Sequence, residues 1–133
     1  MFANIYRGKK ILLTGHTGFK GTWLTNWLLH LGANVIGVSK DIPTNPSMFN
    51  ILKLSDKIQN IVLDIRNFED ISKVISENKP DFVFHLAAQA IVSTSYTDPI
   101  ETISSNTMGT TNILEALRIS NHQCTAIIIT SDK

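Results

Sequence analysis

The chain has 133 residues, 43% hydrophobic and 17% charged, and twelve basic against eleven acidic residues leave a formal net charge of +1. That length suits one domain with a buried core, and so even a balance argues against nucleic acid or an anionic membrane surface as partner. The single Cys124 excludes an intrachain disulfide and fits a reducing cytoplasm; no apolar run approaches the roughly 18 residues of a membrane span, and residues 1–10 lack an apolar segment of signal-peptide length.

Ile11-Leu12-Leu13 reads as a short strand that runs into Thr14-Gly15-His16-Thr17-Gly18-Phe19-Lys20-Gly21. Gly15, Gly18 and Gly21 make G-x-x-G-x-x-G, one residue wider at the first gap than the dinucleotide fingerprint G-x-G-x-x-G. One glycine permits the turn out of the strand, one lets backbone approach a pyrophosphate, and one lets the following helix pack close to the sheet. The helix N-terminus adds free N–H groups and a partial positive charge. Gly15, Thr17, Gly18, Phe19, Lys20 and Gly21 are therefore the expected cofactor contacts of this loop. Lys20 in the first helical turn opposes the macrodipole, a cost that a bound pyrophosphate offsets; a lysine simply reaching solvent is the competing reading. His16 reads as a polar turn residue that contributes only its backbone.

Trp23, Leu24, Trp27, Leu28 and Leu31 share one helical face, expected to pack on the sheet, and Gly32 stops the helix. Val35-Ile36-Gly37-Val38 is a second strand ending at Ser39-Lys40-Asp41. Asp41 stands where a doubly wound fold places the carboxylate that meets the adenine ribose. A carboxylate there accepts from both ribose hydroxyls and repels a 2′-phosphate, favouring NAD over NADP; Lys40 beside it weakens that preference, and a solvated turn is the plain alternative. Two prolines make Ile42-Pro43-Thr44-Asn45-Pro46-Ser47 a loop, and a short helix is expected over 47–54.

Ile61-Val62-Leu63 is a third strand, followed by Asp64-Ile65-Arg66. Asn67 with Asp70 resembles a capping box, and Phe68, Ile71, Val74 and Ile75 give the next helix an apolar face that Pro80 closes. Phe82-Val83-Phe84-His85-Leu86-Ala87-Ala88 is apolar on both faces, as a buried parallel strand is, with His85 read as a hydrogen-bonded core residue rather than a catalyst. Asp98-Pro99-x-Glu101 opens a long helix to about Arg118, with Ile100, Ile103, Thr107, Leu114 and Leu117 as its expected inner face. Ala126-Ile127-Ile128-Ile129-Thr130 is a fifth strand, and Ser131-Asp132-Lys133 come after it. Alternating strands and helices imply an α/β fold: a doubly wound, mainly parallel Rossmann-type sheet of about five strands, helices on both faces, truncated. Gly15, Asp41, Asp64, Ala87 and Ser131 all fall at strand ends and should line one crevice.

Thr14-Gly15-His16-Thr17-Gly18-Phe19-Lys20-Gly21, Pro43-Thr44-Asn45-Pro46-Ser47, Asp64-Ile65-Arg66, His85-Leu86-Ala87-Ala88-Gln89, Asn106-x-x-Gly109-Thr110 and Thr130-Ser131-Asp132-Lys133 resemble the extended short-chain dehydrogenases/reductases. Within them the chain is similar to the N-terminal part of nucleotide-sugar 4,6-dehydratases of the CDP-glucose or dTDP-glucose type. The resemblance implies NAD as cofactor and an internal redox cycle: hydride leaves C4 of a nucleotide-linked hexose, a proton leaves C5, water leaves C6, and hydride returns to C6. By matching position Asp132 would protonate the departing hydroxyl, Lys133 would be the base at C5, and Ser131 would hydrogen-bond the sugar oxygen. Asp64 and Ile65 would meet adenine, while Ala87, Ala88 and Gln89 would line the cofactor path.

Some of the family's parts are not matched. Its Tyr-x-x-x-Lys helix has no counterpart: Tyr6 and Lys10 have that spacing but precede the first strand, and Tyr96 is followed at the fourth place by Ile100. Ala90-Ile91-Val92-Ser93-Thr94 stands where the family tends to carry proline and arginine, and Ile103 where it tends to carry tyrosine. The expectations are therefore NAD binding without turnover by these residues alone, or a non-catalytic dinucleotide-binding or assembly module. A homo-oligomer that covers the fifth strand or the long helix is expected in either case.

Overall fold

The computed structural model describes residues 2–130. Its strands are β1 (Lys10–Thr14), β2 (Asn34–Ser39), β3 (Gln59–Val62), β4 (Phe82–His85) and β5 (Thr125–Ile128). Its helices are α1 (Phe19–His30), α2 (Met48–Ile51), α3 (Phe68–Asn78), α4 (Val92–Thr97), α5 (Pro99–Ile103) and α6 (Gly109–Ser120). The strands form one sheet in the order β3-β2-β1-β4-β5, every pair parallel. Each crossover therefore returns the chain to the same end of the sheet, and all the carboxyl ends lie together.

The central β1 is apolar because both its faces are covered. Leu12 with Ile36, Val38 and Val83 packs against Ile71 and Ile75 of α3 and Ile113 and Ala116 of α6. On the opposite face, Ile11, Leu13 and Val35 pack with Leu28 of α1 and Ala33. Alternate residues of one strand thus serve two cores, which is why the run shows no polar alternation.

Local signals explain where the helices begin and end. Ser47 Oγ accepts from Asn50 N at 3.1 Å and starts α2. Asn67 Oδ1 accepts from Asp70 N at 3.3 Å and caps α3, but the reciprocal half of the expected box does not form: the Asp70 carboxylate takes the Asn67 side-chain amide at 2.6 Å, while the Asn67 backbone N–H donates to Asp64 O. Asp98 Oδ1 accepts from Glu101 N at 3.0 Å ahead of Pro99 in α5.

Two expected helix faces are only partly right: Leu24 and Leu28 of α1 and Leu117 of α6 pack on the core as expected, and other members do not. Trp23 and Trp27 do not pack on the sheet: they are 56% and 47% exposed, and Gly21, Thr22, Thr25 and Leu28 form the inner face of α1. Small residues bring this helix close to the strands, and Trp27 instead meets Phe2 edge-on at 5.5 Å. The long helix is not one α-helix either. Residues Ser104–Met108 form a π-turn between α5 and α6, and its extra residue rotates α6 relative to α5. Ile100, Ile103 and Leu114 consequently face outward, while Ser105, Gly109, Asn112, Ile113 and Ala116 are buried. The short α4 is an addition to the expected elements. Among the described residues, no helix is long and apolar enough to cross a membrane.

Candidate dinucleotide site

The three glycines do different work. Gly15 turns the chain out of β1 at φ +75°, and a Cβ there would stand 2.8 Å from Ala87 N. A Cβ on Gly21 would fall 2.0 Å from the Gly15 carbonyl oxygen, so only glycine lets α1 begin so near the turn. Gly18 is unlike both. It caps α1 in an extended conformation, and a Cβ there would meet only Gly15 O, at an ordinary 3.5 Å. The protein itself does not require glycine at 18. Open space lies there, at the start of a helix with no side-chain cap and no acid in its first turn. Its first-turn N–H groups lack intrahelical partners, and an anion of pyrophosphate size fits that arrangement. Phe19 and Lys20 are exposed beside it.

His16 overturns its sequence reading as a turn residue of which only the backbone matters. Its ring is fully buried, 2.7 Å from Asn60 Oδ1 through Nε2 and 3.0 Å from Ser39 Oγ through Nδ1, with the Phe49 ring edge-on at 5.1 Å. Asn60 Oδ1 accepts, so Nε2 carries the proton and Ser39 donates to Nδ1. Burial lowers the His16 pKa, and the Asn60 hydrogen bond opposes that only in part. The sequence did carry a signal, namely Gly37 inside a strand. A Cβ on Gly37 would lie 2.5 Å from the His16 ring. Gly37→Ala should cost about 1–3 kcal/mol by overpacking. In a urea-unfolding cycle, His16→Ala should remove most of that penalty; additive losses would show that the ring does not hold the position.

His85 is buried and hydrogen-bonded, as its sequence context implies. Ala87 N donates to Thr14 Oγ1 at 3.1 Å, Thr14 sits 2.7 Å from His85 Nδ1, His85 Nε2 sits 2.9 Å from Thr110 Oγ1, and Thr110 donates to Asn106 O at 2.8 Å. The Ala87 N–H at one end and the Asn106 carbonyl at the other fix its direction: Thr14 donates to Nδ1, and Nε2–H donates to Thr110. The ring is held neutral, and burial pulls its pKa down to about 4. One further pair fixes the loop after β4. Asn106 in the π-turn accepts from Gln89 N at 2.7 Å and donates to Gln89 O at 2.9 Å. The Gln89 side chain donates to Thr102 Oγ1 at 2.9 Å and to Ile91 O at 3.1 Å.

Of the other expected site residues, Asp41 lies just past β2, exposed, with its carbonyl accepting from Thr17 Oγ1 at 2.7 Å. Asp64 and Ile65 follow β3. Ile65 is 7% exposed with its side chain in the core against Gly109, which leaves only its backbone to face a ligand. The Asp64 carboxylate accepts from Arg66 Nε at 3.0 Å and Nη2 at 2.5 Å, and Arg66 holds its pKa below the usual range. Arg66 also pairs with Glu101, whose other oxygen takes Lys40 at 2.8 Å. Ala87, Ala88 and Gln89 form the loop beyond β4. Ser131, Asp132 and Lys133 lie outside the described residues. Tyr6 packs on Phe82 and Phe84 with ring centroids 5.2 and 6.2 Å away. A cleft of about 620 Å³ is lined by Lys10, Asn34, Gln59 and Asn78 at the opposite end of the sheet. Ligands of open parallel sheets bind at the carboxyl ends, so this cleft is not the dinucleotide site.

The sequence profile described as GDP-mannose 4,6 dehydratase matches residues 12–133. The CDP-glucose 4,6-dehydratase of Salmonella typhimurium is 48% identical over 98% of this chain and 36% of its own length. Among solved structures, an epimerase of Methanothermobacter thermautotrophicus superposes with a TM-score of 0.82 at 29% identity, over 97% of this chain and 37% of that one. The UDP-glucose 4-epimerase of Thermus thermophilus in complex with NAD gives 0.73 at 31% identity, over 84% and 34%. The chain thus spans about a third of the length of these relatives. A five-stranded parallel sheet, a glycine turn opening its first helix and a match across nearly every residue together place the chain in the GDP-mannose 4,6-dehydratase family of extended short-chain dehydrogenases/reductases.

Proposed function

We propose that the chain is the NAD-binding part of a nucleotide-sugar 4,6-dehydratase of the CDP-glucose type. The observation that carries this reading is the open space at Gly18, flanked by Gly15 and Gly21, which the fold needs, and facing an uncapped helix start. When bound, NAD supplies a reversible hydride acceptor. The chain's own residues hold it: the first turn of α1 takes the pyrophosphate, Asp41 accepts from the ribose hydroxyls, and Asp64 with the Ile65 backbone reads adenine. Ala87, Ala88 and Gln89 border its path toward the sugar. The family resemblance supports Asp132 as acid, Lys133 as base and Ser131 as sugar contact. A lysine desolvated between a pyridinium and a sugar has its pKa lowered toward neutrality, as a base at C5 requires.

A second reading, a binding module without turnover, has its own support. Among the described residues neither tyrosine pairs with a lysine at the site: Tyr6 is packed against β4, and Tyr96 is 84% exposed in α4. Calorimetry with NAD, followed by incubation with NAD and CDP-glucose, tests both readings. Saturable NAD binding without 4-keto product is expected of these 133 residues alone. Absence of NAD binding would overturn the proposal, and product formation would overturn the second reading. Self-association belongs to the same proposal, supported among the described residues by the outward Ile100 and Ile103.

A further inference from the structure

Two cations stand at the carboxyl ends of β2 and β3, which are neighbours in the sheet, and both are already engaged. Lys40 gives its ammonium to Glu101 Oε1 at 2.8 Å, and Arg66 divides its guanidinium between Asp64 and the other Glu101 oxygen. Ser105 also donates to Glu101 Oε1, at 3.1 Å. Glu101 is the least exposed of the four charged side chains, at 24%. It reaches this place from α5, a helix that is remote in sequence from both strand ends. Asp41 follows Lys40 directly in the chain, so the formal count at these strand ends is three carboxylates to two cations.

Cations beside the adenine ribose are what a 2′-phosphate needs, and a carboxylate alone is what a free 2′-hydroxyl needs. Lys40 adjoins Asp41, so by sequence the site carries both kinds of signal. In the structure both cations are ion-paired. We propose that Glu101 is a specificity-determining residue: by occupying Lys40 and Arg66 together it withholds both from a 2′-phosphate and keeps the site selective for NAD over NADP. Individually these surface pairs add little to stability. Their effect is on the sign of the charge that meets the ligand. A 2′-phosphate brings close to two negative charges into a region with an excess of one, whereas a hydroxyl brings none. Loss of the Glu101 charge balances that count, frees Lys40 and leaves Arg66 shared with Asp64 alone.

This inference rests on the dinucleotide reading above. Calorimetry with NAD and NADP, and with 5′-AMP and 2′,5′-ADP for the adenosine end alone, tests it on the wild type, Glu101→Gln and Lys40→Met/Glu101→Gln. Glu101→Gln should shift the NADP-to-NAD affinity ratio toward NADP by about tenfold or more, with the same shift for the two fragments. The double variant should give back much of that shift, and Glu101→Asp should retain the wild-type ratio. A merely structural residue would change both affinities together and leave their ratio alone. A wild type that binds NAD, with a ratio unmoved in Glu101→Gln, overturns this inference and spares the parent reading. A chain that binds neither dinucleotide overturns both.

Discussion

Gly18→Val is expected to abolish NAD binding and leave the chain folded, whereas Gly21→Val is expected to unfold it. The two positions are three residues apart in one loop, and sequence alone gives them the same weight. Gly18 has φ −71° and ψ 171°, a conformation open to β-branched residues, and a Cβ there has room. A valine would place its methyl groups across the helix start where phosphate oxygens must approach N–H groups, at an expected cost of a hundredfold or more in affinity, about 3 kcal/mol. At Gly21 the new Cβ would overlap backbone of the Gly15 turn, which no side-chain rotation relieves, so the loss should exceed the roughly 1–3 kcal/mol of ordinary overpacking. Calorimetry and urea unfolding on both variants check this pair. Unchanged NAD affinity in Gly18→Val would remove the pyrophosphate from this loop.

The second large effect is a loss of stability in mild acid. His85 has a folded pKa of about 4 and an unfolded one near 6.5. Below pH 6.5 the unfolded chain takes up a proton that the folded chain refuses. The stability present above about pH 6.5 is therefore lost as pH falls toward 4, at up to about 1.4 kcal/mol per pH unit and roughly 3 kcal/mol in all. His16, also lowered, adds loss in the same direction. Asp64, Asp81 and Glu101 are held below their ordinary values by Arg66, the Lys10 backbone and Lys40 respectively, so their contribution fades only from about pH 4.5 downward. Acid destabilisation should thus begin about two units above the carboxylate range. Urea-unfolding free energies between about pH 7 and 5 measure it, and His85→Gln should flatten the slope. A flat wild-type profile there would show that the Thr14–His85–Thr110 chain does not hold the ring neutral.

What could be read from the sequence was whatever local pattern determines. The glycine turn, the Asn67 and Asp98 caps, the succession of strands and helices, and the buried role of His85 all rest on short-range rules. What could not be read depends on contacts made across the fold. Trp23 and Trp27 fit an apolar stripe, but Gly21, Thr22 and Thr25 let the helix approach on another face. His16 has the look of a loop residue because its partners Ser39, Asn60 and Gly37 lie on two other strands. The pairing of Lys40 and Arg66 through Glu101 is invisible for the same reason: nothing in the spacing of residues 40, 66 and 101 announces that they meet.

The π-turn at Ser104–Met108 makes that meeting a matter of counting. An α-helix advances about 100° per residue, so one residue more or fewer turns everything on one side relative to the other. With the extra residue, Glu101 faces the strand ends while Ile113 keeps its seat against α3. Deleting one residue from the turn would preserve every helix propensity and nearly all the composition, yet swing Glu101 about a quarter of the way around the axis, out of reach of Lys40 and Arg66. On the proposed role of Glu101, cofactor preference would be geared to a length as well as to identities, and an insertion or deletion here would act as a change of azimuth.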